Sequence, residues 1–469
     1  MAAPGSAPVA RDTDAADGLG AKAGSGAGAQ VAAAMETTMA SALAMAQAVA
    51  GAMQRAVKGA AASAVTRAAA RAAASAVARE VASAGASTAR RLGSVRRARA
   101  ARACAAALAA VAVAPCSAAE ATPAANLPLA KFELPRGFRA EVFASGVADA
   151  RSLREGDRGT VFVSSRSAGR VVAIVENDGR QQVRTIAEGL VMPNGIAFHK
   201  GALYVATVTT ILRFDDIENR LDRPPAPVTV YDQLPNRREH GWRYIAIGPD
   251  AKLYIGVGAP CNICEPAPGF AQIRRMNLDG SGMEVVADGV RNTVGFDFDP
   301  KDGSLWFTDN GRDWLGDDQP QDELNHVTQP GRQHFGFPYC HEGMLRDPEF
   351  GAGKDCAKFA QPVWPLGPHA AALGMRFYTG TMFPPQYRGA ILIARHGPWN
   401  RSRKFAADVV AAFPDGKGGI ARMETLLGGL VENNAFLGRP VDVLVRKDGS
   451  LLVSDDLNGA VYRVVSAAP

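Results

Sequence analysis

The sequence predicts an all-β protein, a six-bladed β-propeller behind a disordered Ala-rich leader and a signal peptide, on three observations. An apolar strand, a turn and a second strand of branched and aromatic residues recur six times after residue 151. The phrase returns every ~40–60 residues, a repeat-architecture period. Little helical periodicity lies between the repeats.

The second strands of the six phases read as residues 159–163, 201–205, 251–255, 303–307, 389–393 and 449–453. The preceding strands are equally plain at 244–250, 294–300 and 441–445, and Asp-Gly or Pro-Asp turns join the two as hairpins. A small repeated sheet can bury its faces only against its neighbours, which is how propeller blades are built. The strands of a β-sandwich, the competing all-β architecture, do not repeat a fixed phrase. Residues 132–135 and 138–144 have no blade of their own and are expected to join 461–464 and close the ring. The stretch 309–368, rich in Gly, Pro, Asp and aromatics, is expected to form long loops over one face, where propellers carry function.

Residues 1–89 form a low-complexity leader of Ala, Gly and Ser with scattered Arg, too poor in large apolar residues to build a core. Residues 90–119 run from an Arg-rich start through the apolar run 103–114 to small residues, the order of a secretory signal peptide. An Ala-rich helix after arginines is the plainer alternative. The mature chain is expected to begin near residues 119–122, in the periplasm or outside the cell. The apolar run is too short to span a bilayer, and no later run is long enough. Residues 1–119 carry a net charge of +8, so a whole-chain charge of +6 leaves the propeller domain, residues 127–469, near neutral. That balance offers no basic stripe for nucleic acid.

Four cysteines fall in the body: Cys261, Cys264, Cys340 and Cys356. An even number in an exported chain favours two disulfides, Cys261–Cys264 and Cys340–Cys356 in sequence order. A zinc site of the same thiolates is the alternative.

Four groups of residues could carry chemistry. His240 stands just before the first strand of the third phase, at the expected channel rim, and an imidazole with a pKa of about 6.5 suits a general base. Arg291 and Asn292 precede the next phase together, offering a planar donor fork and an amide. The loop 308–325 is crowded with the oxygen ligands that calcium prefers. Arg395, His396 and Arg401 surround Trp399 after the fifth phase and would make an anion pocket beside a ring. Each cluster also has a bland reading as a solvated loop.

From about residue 127 onward, these ordered motifs resemble the soluble PQQ-dependent aldose, glucose and sorbosone dehydrogenases, above all the sorbosone branch. The resemblance implies that His240, ahead of Ile247-Gly248-Pro249-Asp250, is the catalytic base. It puts Arg291 and Asn292 on the quinone and Arg395, His396 and Arg401 among the cofactor contacts. It implies a calcium on the Gly311 and Arg312 carbonyls, and a second calcium loop in Asp322-Glu323-Leu324-Asn325, with Glu323 a ligand, before Phe335-Gly336-Phe337-Pro338. A family Lys that touches the quinone is matched by Thr379 in Tyr378-Thr379-Gly380. The implied cofactors are PQQ and Ca2+, the substrate a sugar, and the electron acceptor a soluble carrier or cytochrome. Alternatives are a calcium-dependent lactonase and a non-catalytic carbohydrate- or protein-binding propeller.

Overall fold

A computed structural model describes residues 126–177 and 179–466. The predicted leader, signal peptide and cleavage region lie outside the described residues. Six four-stranded antiparallel sheets are present, each in meander order. Blade 1 is Ala150–Glu155, Val161–Ser165, Val171–Asn177 and Arg180–Ala187; blade 2 is Gly195–His199, Ala202–Ala206, Ile211–Phe214 and Val228–Tyr231. Blade 3 is Ile245–Ile247, Leu253–Val257, Gln272–Met276 and Glu284–Asp288; blade 4 is Gly295–Phe298, Leu305–Asp309, Gln321–Val327 and Trp364–Pro368. Blade 5 is Ala372–Phe377, Ile391–Arg395, Asp408–Pro414 and Ile420–Leu427. Blade 6 is Pro440–Val445, Leu451–Asp455, Ala460–Ser466 and, as its outermost strand, Phe138–Ser145. Helix among the described residues is confined to short 3-10 turns, none long and apolar enough to cross a membrane.

The ring closes as the sequence suggests, with Val142 opposite Tyr462 and Glu141 opposite Arg463. Residues 132–135 do not extend that strand; Glu133 instead bridges Gly428 after blade 5. The stretch 309–368 also differs from expectation. It contains the two outer strands of blade 4, so Asp322, Glu323 and Asn325 lie in a strand and not a loop. Acidic residues have low strand propensity, and tertiary burial overrides it here.

The blades are held by six apolar clusters, one at each interface. Side chains alternate across a strand, so a second strand feeds both neighbours: Phe162 joins Ile196, Leu203 and Phe214 of blade 2, while Val161 and Val163 join Leu444 and Leu452 of blade 6. The same division repeats between blades 2 and 3, 3 and 4, 4 and 5, and 5 and 6. This two-sided burial explains why the second strands are almost continuously apolar. The first strands crowd together at the axis, and a Cβ on Gly295 or Gly374 would stand 2.0 Å from Leu373 O or 2.1 Å from Asp442 Oδ1.

The channel itself is filled by charge. Arg154 of blade 1 donates to Tyr244 Oη at 3.1 Å, Arg376 of blade 5 donates to the same hydroxyl, and Asp442 of blade 6 lies 3.5 Å from both guanidinium groups. A ligand therefore cannot pass through the channel and can sit only at a mouth.

Candidate active site at the channel mouth

Within a blade the first two strands are antiparallel, so the start of one meets the end of the other: Ala150 opposes Ser165, Ala372 opposes Arg395 and Pro440 opposes Asp455. Residues just outside these pairs gather at one mouth. His240, Asn292, Arg166, His396 and Arg439 occupy such positions, and Arg151 is the second residue of its strand beside them.

His240 is held at φ 46, left-handed for a non-glycine residue, with Nδ1 2.9 Å from Ala259 O. The carbonyl can only accept, so Nδ1 carries the proton and Nε2 keeps its lone pair. Burial, assisted by the Arg291 charge, lowers the imidazole pKa to about 3, so the ring is neutral at neutral pH. Asn292 is its neighbour: a Cβ on Gly258 would lie 2.6 Å from His240 Cβ and 3.2 Å from Asn292 Oδ1. That buried Oδ1 has no hydrogen-bond partner, and such an orphan acceptor is costly unless a ligand meets it.

Arg291 is buried and largely committed. Its guanidinium donates to Asn262 O at 2.9 Å, Asn262 Oδ1 at 2.8 Å and Asn310 O at 3.0 Å, with Asp313 at 3.5 Å. Its amide and that of Asn292 donate to the Asp309 carboxylate at 2.8 and 2.6 Å. The Cys261–Cys264 disulfide holds the Asn262 loop, and Cys340–Cys356 holds the loop over blade 4. Both pairings agree with the sequence, and the thiolates needed for zinc are spent.

Arg395 and Arg401 face other partners. Arg395 grips Asp408 through two nitrogens, at 2.8 and 2.5 Å, and Arg401 ties its loop to Asp317 O at 3.0 Å and Asp318 at 2.9 Å. His396 Nε2 lies 2.8 Å from Asp456, whose other oxygen accepts from Arg151 at 2.8 Å. Burial lowers the His396 pKa to about 4. Burial would raise that of Asp456, but His396, Arg151 and Arg439 hold it below the usual carboxylate range.

A cationic and aromatic centre not foreseen from sequence lies between these residues. Trp242 rests on Val294, Leu373 and Val441 from blades 4, 5 and 6. Arg166 and Arg151 stand over its ring, 4.7 and 5.7 Å from the centroid. Burial and the Arg151 charge lower the pKa of Arg166, and burial lowers that of Arg439, which also feels Arg151 and Arg166. Among the described residues the Arg166 guanidinium donates only to Ser167 Oγ at 3.3 Å, while its amide donates to Asp149 at 2.8 Å. Arg151 is paired with Asn194 and Asp456, and Arg439 donates to His396 O at 3.0 Å and Gly397 O at 2.7 Å. Arg166 is thus the under-paired cation of three clustered arginines beside an aromatic face, a setting that suits a planar anion. Comparing phases could have found Arg439, which stands just before a first strand as Arg291 does, and Arg151, which is the second residue of one.

Thr379 lies elsewhere. Tyr378 Oη donates to Gly449 O at 2.7 Å, in the turn before the second strand of blade 6, at the end of the strands opposite the mouth. The Tyr-Thr-Gly phrase thus does not occupy the position of a cofactor-contacting Lys.

Beside Arg291 a small cavity is lined by Asp309, Gly311, Glu323, Phe335 and His341, among others. The backbone carbonyls of Gly311 and Arg312 accept no hydrogen bond among the described residues. The Arg312 side chain points away to Asp347 at 2.7 Å and Glu349 at 3.0 Å. Burial raises the pKa of Glu323 to about 8, of Asp309 to about 7 and of Asp322 to about 6. Among the described residues no three His, Cys, Asp or Glu side chains converge as a ready ion cage.

The family model described as TrAA12-like matches residues 132–467. The chain belongs to the TrAA12-like family. An uncharacterized protein of Borreliella burgdorferi is 33% identical over 357 residues, 73% of this chain and 93% of that one. Among solved structures, the PQQ domain of Coprinopsis cinerea pyranose dehydrogenase shares the fold at a TM-score of 0.61 and 20% identity, covering 71% of this chain and 97% of that one. A calcium structure of a Trichoderma reesei family AA12 protein reaches 0.61 at 18% identity, covering 72% and 97%. The PQQ-bound aldose sugar dehydrogenase of Streptomyces coelicolor reaches 0.51 at 19% identity, covering 71% and 100%. At these identities the TrAA12-like chain shares their propeller fold.

Proposed function

We propose that this protein is a PQQ- and calcium-dependent sugar dehydrogenase, oxidising an aldose at C1 to its lactone or a sorbosone-like aldehyde to its acid. The observation that carries this reading is Trp242 with Arg151, Arg166 and Arg439 beside a neutral His240 whose Nε2 is free. A planar quinone bearing several carboxylates meets both the ring and the cations, and the neighbours of this fold include PQQ domains and PQQ-bound enzymes.

The residues fit both cofactors. Arg151, Arg166 and Arg439 would hold the carboxylates, with the orphan Asn292 Oδ1 turned toward the same mouth. Calcium takes carbonyl and carboxylate oxygens in a flexible shell; the unpaired Gly311 and Arg312 carbonyls suit it, with Glu323 close by. When bound, the quinone supplies the two-electron oxidant. His240 Nε2 takes the C1 hydroxyl proton of the aldose, or of the aldehyde's hydrate formed by addition of water, and the Nδ1–H···O=C bond to Ala259 keeps that tautomer in place. The arginines fix the reacting partners and oppose charge that develops during oxidation. The electrons leave to a soluble acceptor or cytochrome, and the two disulfides favour an exported enzyme.

The lactonase alternative requires a metal at the channel centre, where Arg154 and Arg376 stand instead. The test is to add PQQ and calcium to the purified protein and follow dye reduction with sugars. Sugar-dependent reduction that needs both cofactors is expected, and its absence overturns the reading.

A further inference from the structure

Two large rings stand in water above the mouth. Trp314 and Trp399 are each 65% exposed and meet edge to face, centroids 5.3 Å apart at 85°. Trp314 does so from φ 71, a left-handed conformation that is strained for a bulky side chain. Neither ring contributes to a core cluster, so packing does not require this arrangement.

Their loops are fixed to each other. The Ser402 amide donates to Asp317 at 3.0 Å, Arg401 donates to Asp317 O and Asp318, and Asn400 Nδ2 points at Asp313 Oδ1 from 3.4 Å. The pair is also continuous with the candidate active site. Asp313, next to Trp314, lies 3.5 Å from Arg291, and Trp399 follows His396 by three positions on the rim.

We propose that Trp314 and Trp399 form a distal subsite that stacks the second ring of a di- or oligosaccharide while the reducing end reaches His240. This rests on the sugar dehydrogenase reading. A pyranose presents a face of weakly positive C–H groups, which the negative face of an indole attracts, and hydroxyl edges that need polar partners. Asp313, Asp317, Asn400 and Arg401 surround the two rings with such partners. A protein partner would need about 800 Å² of contact on this side. Two rings bounded by charged loops are the size of a sugar instead.

The test uses enzyme reconstituted with PQQ and calcium, comparing glucose with cellobiose and cellotetraose. Trp314→Ala and Trp399→Ala should raise KM for both oligosaccharides about tenfold, a stacking-sized effect. KM for glucose and kcat for every sugar should stay within about twofold, and Trp399→Phe should recover part of the loss. Equal effects on glucose and the oligosaccharides, or no effect on either, overturn the proposal. So does a change confined to KM for the electron acceptor, which would make the pair an acceptor-docking point. Titration of the PQQ-free protein with cellotetraose separates the two readings. If wild type oxidises no sugar yet binds cellotetraose and the Ala variants do not, the dehydrogenase reading fails and the platform stands; if wild type binds none, the platform fails.

Discussion

Gly258 shows how closely the base is held. A Cβ there would stand 2.6 Å from His240 Cβ and 2.9 Å from its carbonyl, so Gly258→Ala must displace the imidazole while adding only a methyl group. We expect His240→Ala to lower kcat by about 10²–10⁴-fold with PQQ affinity nearly unchanged, and Gly258→Ala to reproduce much of that loss. The arginines separate differently. Arg166→Ala should weaken PQQ binding by about 1.5–3 kcal/mol, the worth of a charged hydrogen bond, read by cofactor titration. Arg395→Ala should leave PQQ affinity unchanged and cost stability, because it strands the buried Asp408 carboxylate. If Arg395→Ala instead abolishes PQQ binding, the anion centre is misplaced. His240, Asn292 and the disulfide cysteines were legible because each sits in a short phrase of fixed local chemistry. Arg166 and Trp242 were not, because nothing in their flanks tells a channel-facing arginine from a solvated one; only folding the ring brings them together.

At the scale of elements, blade 4 concentrates the difference between pattern and structure. Second strands were legible because both faces are buried and their first residues are almost continuously apolar, with polar residues only toward the end at the mouth. The strand Gln321–Val327 was not, since Asp322, Glu323 and Asn325 are polar and buried together. Their burial makes a pH prediction with a definite sign. The folded pKa values of Glu323, Asp309 and Asp322 are raised to about 8, 7 and 6, so over that range the folded state binds more protons than the unfolded one. Stability from these groups is fully present below about pH 4, falls as pH rises from there, and is lost in turn through about pH 6, 7 and 8. His240 acts oppositely and lower down, losing stability below about pH 6.5 as the unfolded ring protonates. The metal-free protein should therefore show a falling Tm between pH 6 and pH 8.5. Calcium should restore Tm more at pH 8.5 than at pH 5.5, and Glu323→Gln should flatten the metal-free slope. A calcium effect equal at both pH values would remove these carboxylates from the cation's surroundings.

For the whole molecule the decisive contact is the one between its two ends. Blade 6 takes three strands from the C-terminal segment and its fourth, Phe138–Ser145, from the N-terminal one. That strand pairs with Ala460–Ser466 and also reaches blade 5, where Phe138 meets Phe383 at 4.8 Å and Tyr387 at 5.3 Å. Its removal would leave the strand Ala460–Ser466 as an unpaired edge and strip Phe143 from the cluster shared by blades 6 and 1. Exposed edges of this kind invite association, and a ring opened at one interface loses the closure that couples the other five. Phe138→Ala, which keeps the strand but removes its docking ring, should lower Tm and leave unfolding a single transition. A chain beginning at residue 147 should instead unfold in a broadened transition, aggregate and lose activity even with PQQ and calcium supplied. Because the active-site residues come from blades 1, 3, 4, 5 and 6 and the loops that enter them, activity and the sharpness of unfolding should fall together in that truncated chain. A truncated protein that kept a sharp transition and full turnover would show that the ring holds without its closing strand.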